Sequence, residues 1–310
     1  MVNFKIWLKA MRVPFFTATV IPVLLGYLLS WHDGSRFVWQ RFALTLFGAI
    51  FIHAGTNLAN DYFDHLTGCD EANPTPTPFS GGSRVIQDCL IRPGEILFAS
   101  LIFFILGSAI GLYLNYVCGR NVILVLGVIG VFLGFFYSAR PFKIGYGGFG
   151  ELATGVGFGP LMVMGAYYVG AQHLPFRVFL ISVPVGILIT LVLFINEFPD
   201  YIGDKAAKKR TLVVILGKKR AVALYYAFVA AVYAVIAALA LIKFLPYSCL
   251  IVFFSLPIAV KAFMTVKFNY EKIYELLPAN AATIGLHSIM GVLLCAGIVI
   301  DKMWSSILWR

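Results

Sequence analysis

Carboxylates are scarce in this chain, with 14 Asp and Glu against 24 Lys and Arg in 310 residues. Charge of either sign is thin at 12%, 60% of the residues are hydrophobic, and the mean hydropathy is +0.89. So little polar surface cannot cover a soluble globule, which excludes a soluble enzyme or binding module and leaves an integral membrane protein. Cysteine is also sparse. Cys69, Cys89, Cys118, Cys249 and Cys295 are odd in number and lack ligand spacing, so neither a disulfide framework nor a zinc site is expected. His32, His53, His65, His173 and His287 show no ligand spacing either, and His65, beside an acidic cluster, reads as a solvated loop residue. No aromatic-basic module accompanies the formal net charge of +10, so nucleic acid is not an expected partner. Attraction to anionic headgroups of the lipid bilayer and to an anionic substrate accounts for that charge.

What the chain does have is long apolar runs. A spanning helix needs roughly 20 mainly apolar residues. Nine stretches qualify: 13–31, 42–60, 96–117, 122–138, 149–171, 178–195, 221–241, 247–266 and 282–300. The runs are continuous rather than alternating, which favours helices over a barrel. The expected fold is all-α and integral to the membrane, a single domain over residues 1–310 with nine transmembrane helices. The first stretch exceeds a signal-peptide core and lacks a convincing cleavage site, so it is read as a retained helix. With nine spans, one face carries seventeen of the 24 basic residues and the other seven, namely Arg36, Arg41, Arg120, Arg177, Lys243, Lys302 and Arg310. The positive-inside rule makes the richer face, which includes the N-terminus, cytoplasmic or its organellar equivalent.

The rare acids concentrate on that face. Asn57-Leu58-Ala59-Asn60-Asp61-Tyr62-Phe63-Asp64 ends the second span, and Asn196-Glu197-Phe198-Pro199-Asp200-Tyr201-Ile202-Gly203-Asp204 ends the sixth. Helical residues three or four apart share a face, so Asn57, Asp61 and Asp64 can converge, as can Asn196, Asp200 and Asp204. Hard carboxylate and amide oxygens suit Mg2+, which binds through a few carboxylates plus substrate phosphates. Two long near-side connections, approximately 61–95 and 199–220, begin with these clusters and read as caps over a site. The first holds Asn73-Pro74-Thr75-Pro76-Thr77-Pro78, which cannot be a helix interior. Four helices separate the clusters, the pattern of a weak parallel repeat that brings both to one face. Gly155, Gly157 and Gly159 follow no strand, so they read as small residues for close helix packing rather than as a nucleotide loop.

These residues resemble the UbiA-type membrane prenyltransferases. Asn60-Asp61-Tyr62-Phe63-Asp64 looks like that family's first aspartate-rich motif; Asp200-Tyr201-Ile202-Gly203-Asp204 followed by Lys209-Arg210-Thr211-Leu212 looks like its second. Gly68-Cys69-Asp70 and Gly82-Ser83-Arg84-Val85-Ile86 look most like the branch that prenylates 1,4-dihydroxy-2-naphthoate in menaquinone synthesis, although Gly68 stands where other branches often carry an acid.

The resemblance implies a central cavity and magnesium-dependent transfer of an isoprenoid chain from a polyprenyl diphosphate to an aromatic acceptor. The implied place is a bacterial cytoplasmic membrane, with the site on the cytoplasmic side. Asn57, Asn60, Asp61, Asp64, Asn196, Asp200 and Asp204 are the expected metal ligands, with Asn57 and Asn196 equally readable as helix-packing residues. Arg84, Lys143, Lys205, Lys209 and Arg210 are the expected diphosphate contacts, with Arg140 of second rank. Tyr137 is the ring best placed to face an allylic cation. Asp70 is left among three readings: a metal-linked acid, a proton acceptor or a solvated acid. Acceptors other than the naphthoate, including 4-hydroxybenzoate, homogentisate, haem and a lipid alcohol, remain within the reading. An ion-coupled transporter is the alternative class, disfavoured because its acids belong at mid-bilayer.

Overall fold

The computed structural model describes residues 3–308, with side chains to Ser305; Arg310, counted above, lies outside the described residues. The described chain is helical, with twelve α-helices: α1 (Phe4–Ala10), α2 (Thr17–His32), α3 (Trp39–Thr67), α4 (Pro93–Cys118), α5 (Val122–Phe135), α6 (Gly150–Val156), α7 (Met162–Ala171), α8 (Phe176–Ala206), α9 (Leu212–Leu216), α10 (Lys218–Leu241), α11 (Leu256–Asn269) and α12 (Ile273–Leu308). Eight helical segments among the described residues are long and apolar enough to cross a bilayer; three of them, Val13–His32, Gly150–Ala171 and Tyr247–Asn269, join shorter pieces through 3-10 stretches or, in the second, a π turn. The fourth expected span, 122–138, differs. Its helix, α5, has 14 residues and ends at Phe135, giving about 21 Å of rise against a hydrocarbon core of about 30 Å.

The acidic clusters also differ from expectation, because they lie within helices rather than opening loops. α3 runs on to Thr67, where Gly68 takes a left-handed conformation (φ 71°) and returns its N–H to the carbonyls of Asp64 and His65. α8 runs through Pro199 to Ala206. Proline removes the N–H that would bond the carbonyl of Ile195, and the buried Asn280 of α12 replaces it, donating from Nδ2 to Ile195 O at 3.2 Å and to Asn196 Oδ1 at 2.8 Å. A proline in a helix is thus tolerated because a neighbouring helix supplies the missing donor.

α8 is buried along much of its length, and α6, α10 and α12 pack around it. Gly155 and Gly159 allow this approach: a Cβ on Gly159 would stand 2.6 Å from Gly186 Cα, and one on Gly155 would stand 2.5 Å from Thr190 Oγ1. Gly157 faces open space. On the far face, Asp33 joins α2 to α7 and α8, accepting from Tyr167 Oη at 2.6 Å and pairing with Arg177, while His32 reaches Asp301 of α12 at 3.0 Å.

Candidate active site

The connection after α3 folds back over the cluster it follows. Asn73 Oδ1 accepts from Thr75 N at 3.0 Å, an Asx turn that starts the proline run. The loop then crosses the end of α8 so closely that a Cβ on Gly203 would lie 3.0 Å from Asn73 Cα. That approach lets Asn73 Nδ2 reach Asp200 Oδ1 at 2.6 Å, and Gly81 N donates to Asp200 Oδ2 at 3.2 Å. Gly82 (φ 73°) turns the loop where a Cβ would meet Asp70 Oδ2 at 2.3 Å. Ser83 follows, and its hydroxyl and N–H both donate to Asp61.

Asp61, Asp64 and Asp204 are buried and partnered. Asp61 pairs with Arg12, which also donates to Asn60 Oδ1 at 3.2 Å. Asp64 accepts from Tyr146 Oη at 2.8 Å, Lys209 Nζ at 3.0 Å and Asn60 Nδ2 at 3.0 Å. Lys209 also lies 3.8 Å from Asp204 Oδ1, which takes a bond from Cys69 Sγ at 3.4 Å. The two motifs therefore meet at one ammonium. Burial would lower the Lys209 pKa, yet Asp64 and Asp204 hold it well above its ordinary value. For Asp70, burial beside Asp64 and Asp61 pushes the carboxyl up to about 8.

A cavity of about 1040 Å³ opens between the motifs. Asn57, Asn60, Asp64, Asp70, Asn196, Asp200, Asp204, Tyr137, Arg84 and Lys209 line it. Asp61 sits behind Arg12, which lines the cavity in its place. Asn57 donates to Met11 O at 2.9 Å and Arg84 to Asp70 O at 2.6 Å. Lys205 and Arg210 are exposed, and Lys205 stands 5.9 Å over the Tyr201 ring. Lys143 stands 4.8 Å over the Tyr146 ring, beside the cavity rather than in its wall. Arg140 is exposed, and His65 is held at the surface by Glu71 at 2.5 Å.

The structure adds residues that the motifs did not mark. Arg12, Ser83, Asn73 and Tyr146 hold the aspartates, while the buried Glu197 lines the cavity. Glu197 and Ser83 lie inside quoted motifs and were legible as polar positions there; Arg12 and Tyr146 reach the site only through tertiary folding.

The donor chemistry fits a divalent cation. Asp64, Asp200 and Asp204 offer hard oxygens to one cavity, and among the described residues no three acidic, histidine or cysteine side chains form a ready cage. Magnesium, which keeps water ligands and shares substrate phosphates, matches such an open set. A second cavity of about 650 Å³, lined almost wholly by apolar groups of α3 to α7 and the π turn between α6 and α7, adjoins the first, and His53, Thr56, Tyr137, Thr154 and Phe158 line both.

A membrane helix bundle with facing Asn-Asp clusters over a half-polar, half-apolar cavity defines the class to which comparison with known proteins also leads. The chain belongs to the UbiA prenyltransferase family, whose family model matches residues 19–298, and it is a prenyltransferase. It is 30% identical over 294 residues to a 2-carboxy-1,4-naphthoquinone phytyltransferase of Synechocystis, covering 94% of this chain and 92% of that protein. It is 28% identical to a 1,4-dihydroxy-2-naphthoate octaprenyltransferase of Bacillus subtilis, covering 92% and 89% of the two chains. The fold is shared with a UbiA homolog from Archaeoglobus fulgidus solved with GPP and Mg2+, at a TM-score of 0.65 and 16% identity over 93% of this chain and 99% of that one.

Proposed function

We propose that this protein transfers an isoprenoid chain from a polyprenyl diphosphate to 1,4-dihydroxy-2-naphthoate, in menaquinone synthesis, with magnesium. The observation that carries the reading is the junction of the two cavities: carboxylates and Lys209 at one end, an apolar chamber at the other, matched to a substrate with a polyanionic head and a hydrocarbon tail. The relatives' names, a phytyltransferase and an octaprenyltransferase of naphthoate-type acceptors, support the acceptor. The Archaeoglobus homolog, solved with GPP and Mg2+, supports the metal.

Asp64, Asp200 and Asp204 hold magnesium in this reading, with Asn57, Asn60 and Asn196 beside them and Asp61 placed through Arg12. When bound, the metal neutralises charge growing on the departing diphosphate. Lys209 and Arg84 contact the non-bridging oxygens, while Lys143, Lys205 and Arg210 supply positive charge at the cavity's approach. Tyr137 presents its ring where the allylic carbon sits, and the apolar walls keep water from the cation. The acceptor ring carbon bonds that carbon as the carbon–oxygen bond breaks, its electrons leaving with diphosphate; the acceptor carboxylate departs as carbon dioxide. Residues 1–310 act as one domain, capped by the connections that follow α3 (68–92) and α8 (207–217). The site and N-terminus face the cytoplasm of a bacterial inner membrane, as the basic loops favour.

The test is prenyl transfer by purified protein in liposomes, with and without magnesium, offering 1,4-dihydroxy-2-naphthoate and 4-hydroxybenzoate side by side. Magnesium-dependent product with the naphthoate is expected. Product with 4-hydroxybenzoate alone would move the protein to another branch.

A further inference from the structure

We propose that His53 holds the acceptor, its Nε2 hydrogen-bonding an oxygen on the aromatic ring at the junction of the two cavities. The inference rests on the transferase reading and extends it to the acceptor's place. The bond that breaks joins a head in the polar cavity to a tail in the apolar one, so the reacting carbon lies at the wall they share, and the incoming ring must approach there. Five residues form that wall: His53, Thr56, Tyr137, Thr154 and Phe158. Thr56 is spent within its own helix, donating to Ile52 O at 2.9 Å. Tyr137 is wedged against α6, where a Cβ on Gly150 would stand 2.9 Å from its hydroxyl.

His53 is held differently. Its Nδ1 lies 2.8 Å from Thr19 Oγ1, and its ring packs against Phe16 at 5.2 Å and edge-on to Phe158 at 4.8 Å. These contacts fix the ring and occupy one nitrogen. Among the described residues no protein group bonds the other nitrogen, and the residue keeps 6% of its surface, on the two cavities it lines. A fixed imidazole at the edge of an apolar chamber, with one free polar atom, has the form of an orienting group in a small-molecule site. With hydrogen on Nδ1 and donated to Thr19, Nε2 accepts from a ring hydroxyl, which raises electron density in the ring without moving a proton. The ring carbon then bonds the allylic carbon, the electrons of the broken carbon–oxygen bond leave with diphosphate, and loss of the ring carboxylate as carbon dioxide restores the aromatic ring.

Two substitutions separate the two nitrogens. Asn reaches roughly where Nδ1 sits and keeps the Thr19 bond; Gln reaches roughly where Nε2 sits. In His53→Asn, kcat/KM for the naphthoate should fall about tenfold, the scale of one lost hydrogen bond. His53→Gln should recover most of that loss, and both should leave the KM for geranylgeranyl diphosphate, measured with magnesium, unchanged. His53→Asn within twofold of wild type for the acceptor, or an equal loss for both substrates, would overturn the assignment. Should His53→Asn fail to fold, wild-type protein given acceptors with each ring hydroxyl methylated decides. One methyl ether should cost tenfold or more, and equal turnover of all the analogues would overturn the assignment. Wild-type protein that binds the diphosphate yet prenylates no hydroxylated ring would overturn the transferase reading together with this one.

Discussion

At the residue scale, the site is a set of acids tied to two cations, one from the turn after α1 and one from the segment that follows the second motif's aspartates. Arg12 holds Asp61 and Lys209 bridges Asp64 toward Asp204. Asp200→Asn should reduce turnover by at least about a hundredfold, the usual scale for losing a group that offsets transition-state charge. Its measure is the liposome transfer assay, with size-exclusion behaviour as the check on folding, and activity near wild type would remove Asp200 from the metal set. Lys209→Ala should raise the KM for the diphosphate about tenfold or more, because its ammonium faces the cavity between two aspartates. Arg210→Ala, exposed and outside the cavity wall, should change it less than about threefold, as a screened surface charge does. An Arg210 effect equal to that of Lys209 would show that the cap loop closes further over substrate. The acids themselves were legible in the sequence, since carboxylates are few and six of them fall in two short segments around the motifs and Asp70. Of their partners, Lys209 was legible beside the second motif and Arg12 was not. Arg12 is one basic residue among several at a membrane edge, and only the packing of α1 and the turn after it against α3 singles it out.

At the scale of elements, helix ends were misread for a physical reason. Hydropathy stops at the last apolar residue, whereas the hydrogen-bond ladder continues until something ends it. Gly68 ends α3 by its left-handed turn, while Pro199, a breaker in water, ends nothing because Asn280 serves the carbonyl it strands. Asn280→Ala should therefore destabilise the protein by ~1–3 kcal/mol, the cost of a buried carbonyl left without a donor, and lower kcat by loosening Asn196 and Asp200. Thermal unfolding in detergent and the transfer assay read the two effects. An unchanged midpoint would mean that water or another group replaces the amide. The glycines were partly legible too. Gly155 and Gly159 do pack helices closely, yet Gly203, inside the second motif, admits the crossing loop, a long-range contact that no local pattern announces.

At the scale of the whole molecule, the apolar runs foretold a membrane bundle and the basic loops foretold one charged face, because both signals are summed along the chain and need no tertiary knowledge. The clasp on the opposite face was invisible, since Asp33, Arg177, Tyr167 and Asp301 are far apart in sequence and ordinary one by one. It joins α2, α7, α8 and α12 opposite the active site. Burial alone would raise the Asp33 pKa, but hydrogen bonds from His32, Tyr167 and Arg177 bring it down from 3.8 to about 2. A carboxyl held lower in the folded state than in the unfolded one stabilises the fold above its ordinary pKa, and that contribution disappears as pH falls through the folded value. Because solvent reaches the half-buried group and screens it, this contributes about 1 kcal/mol, present at pH ~5 and lost between pH ~4 and ~2 as the carboxyl titrates from its ordinary 3.8 to about 2. Unfolding of wild-type protein and Asp33→Asn in detergent should thus differ by several degrees at pH ~5 and converge toward pH ~2. Curves that stay parallel across that range would show that the clasp's strength lies in Arg177, Tyr167 and the packing around them rather than in the Asp33 charge.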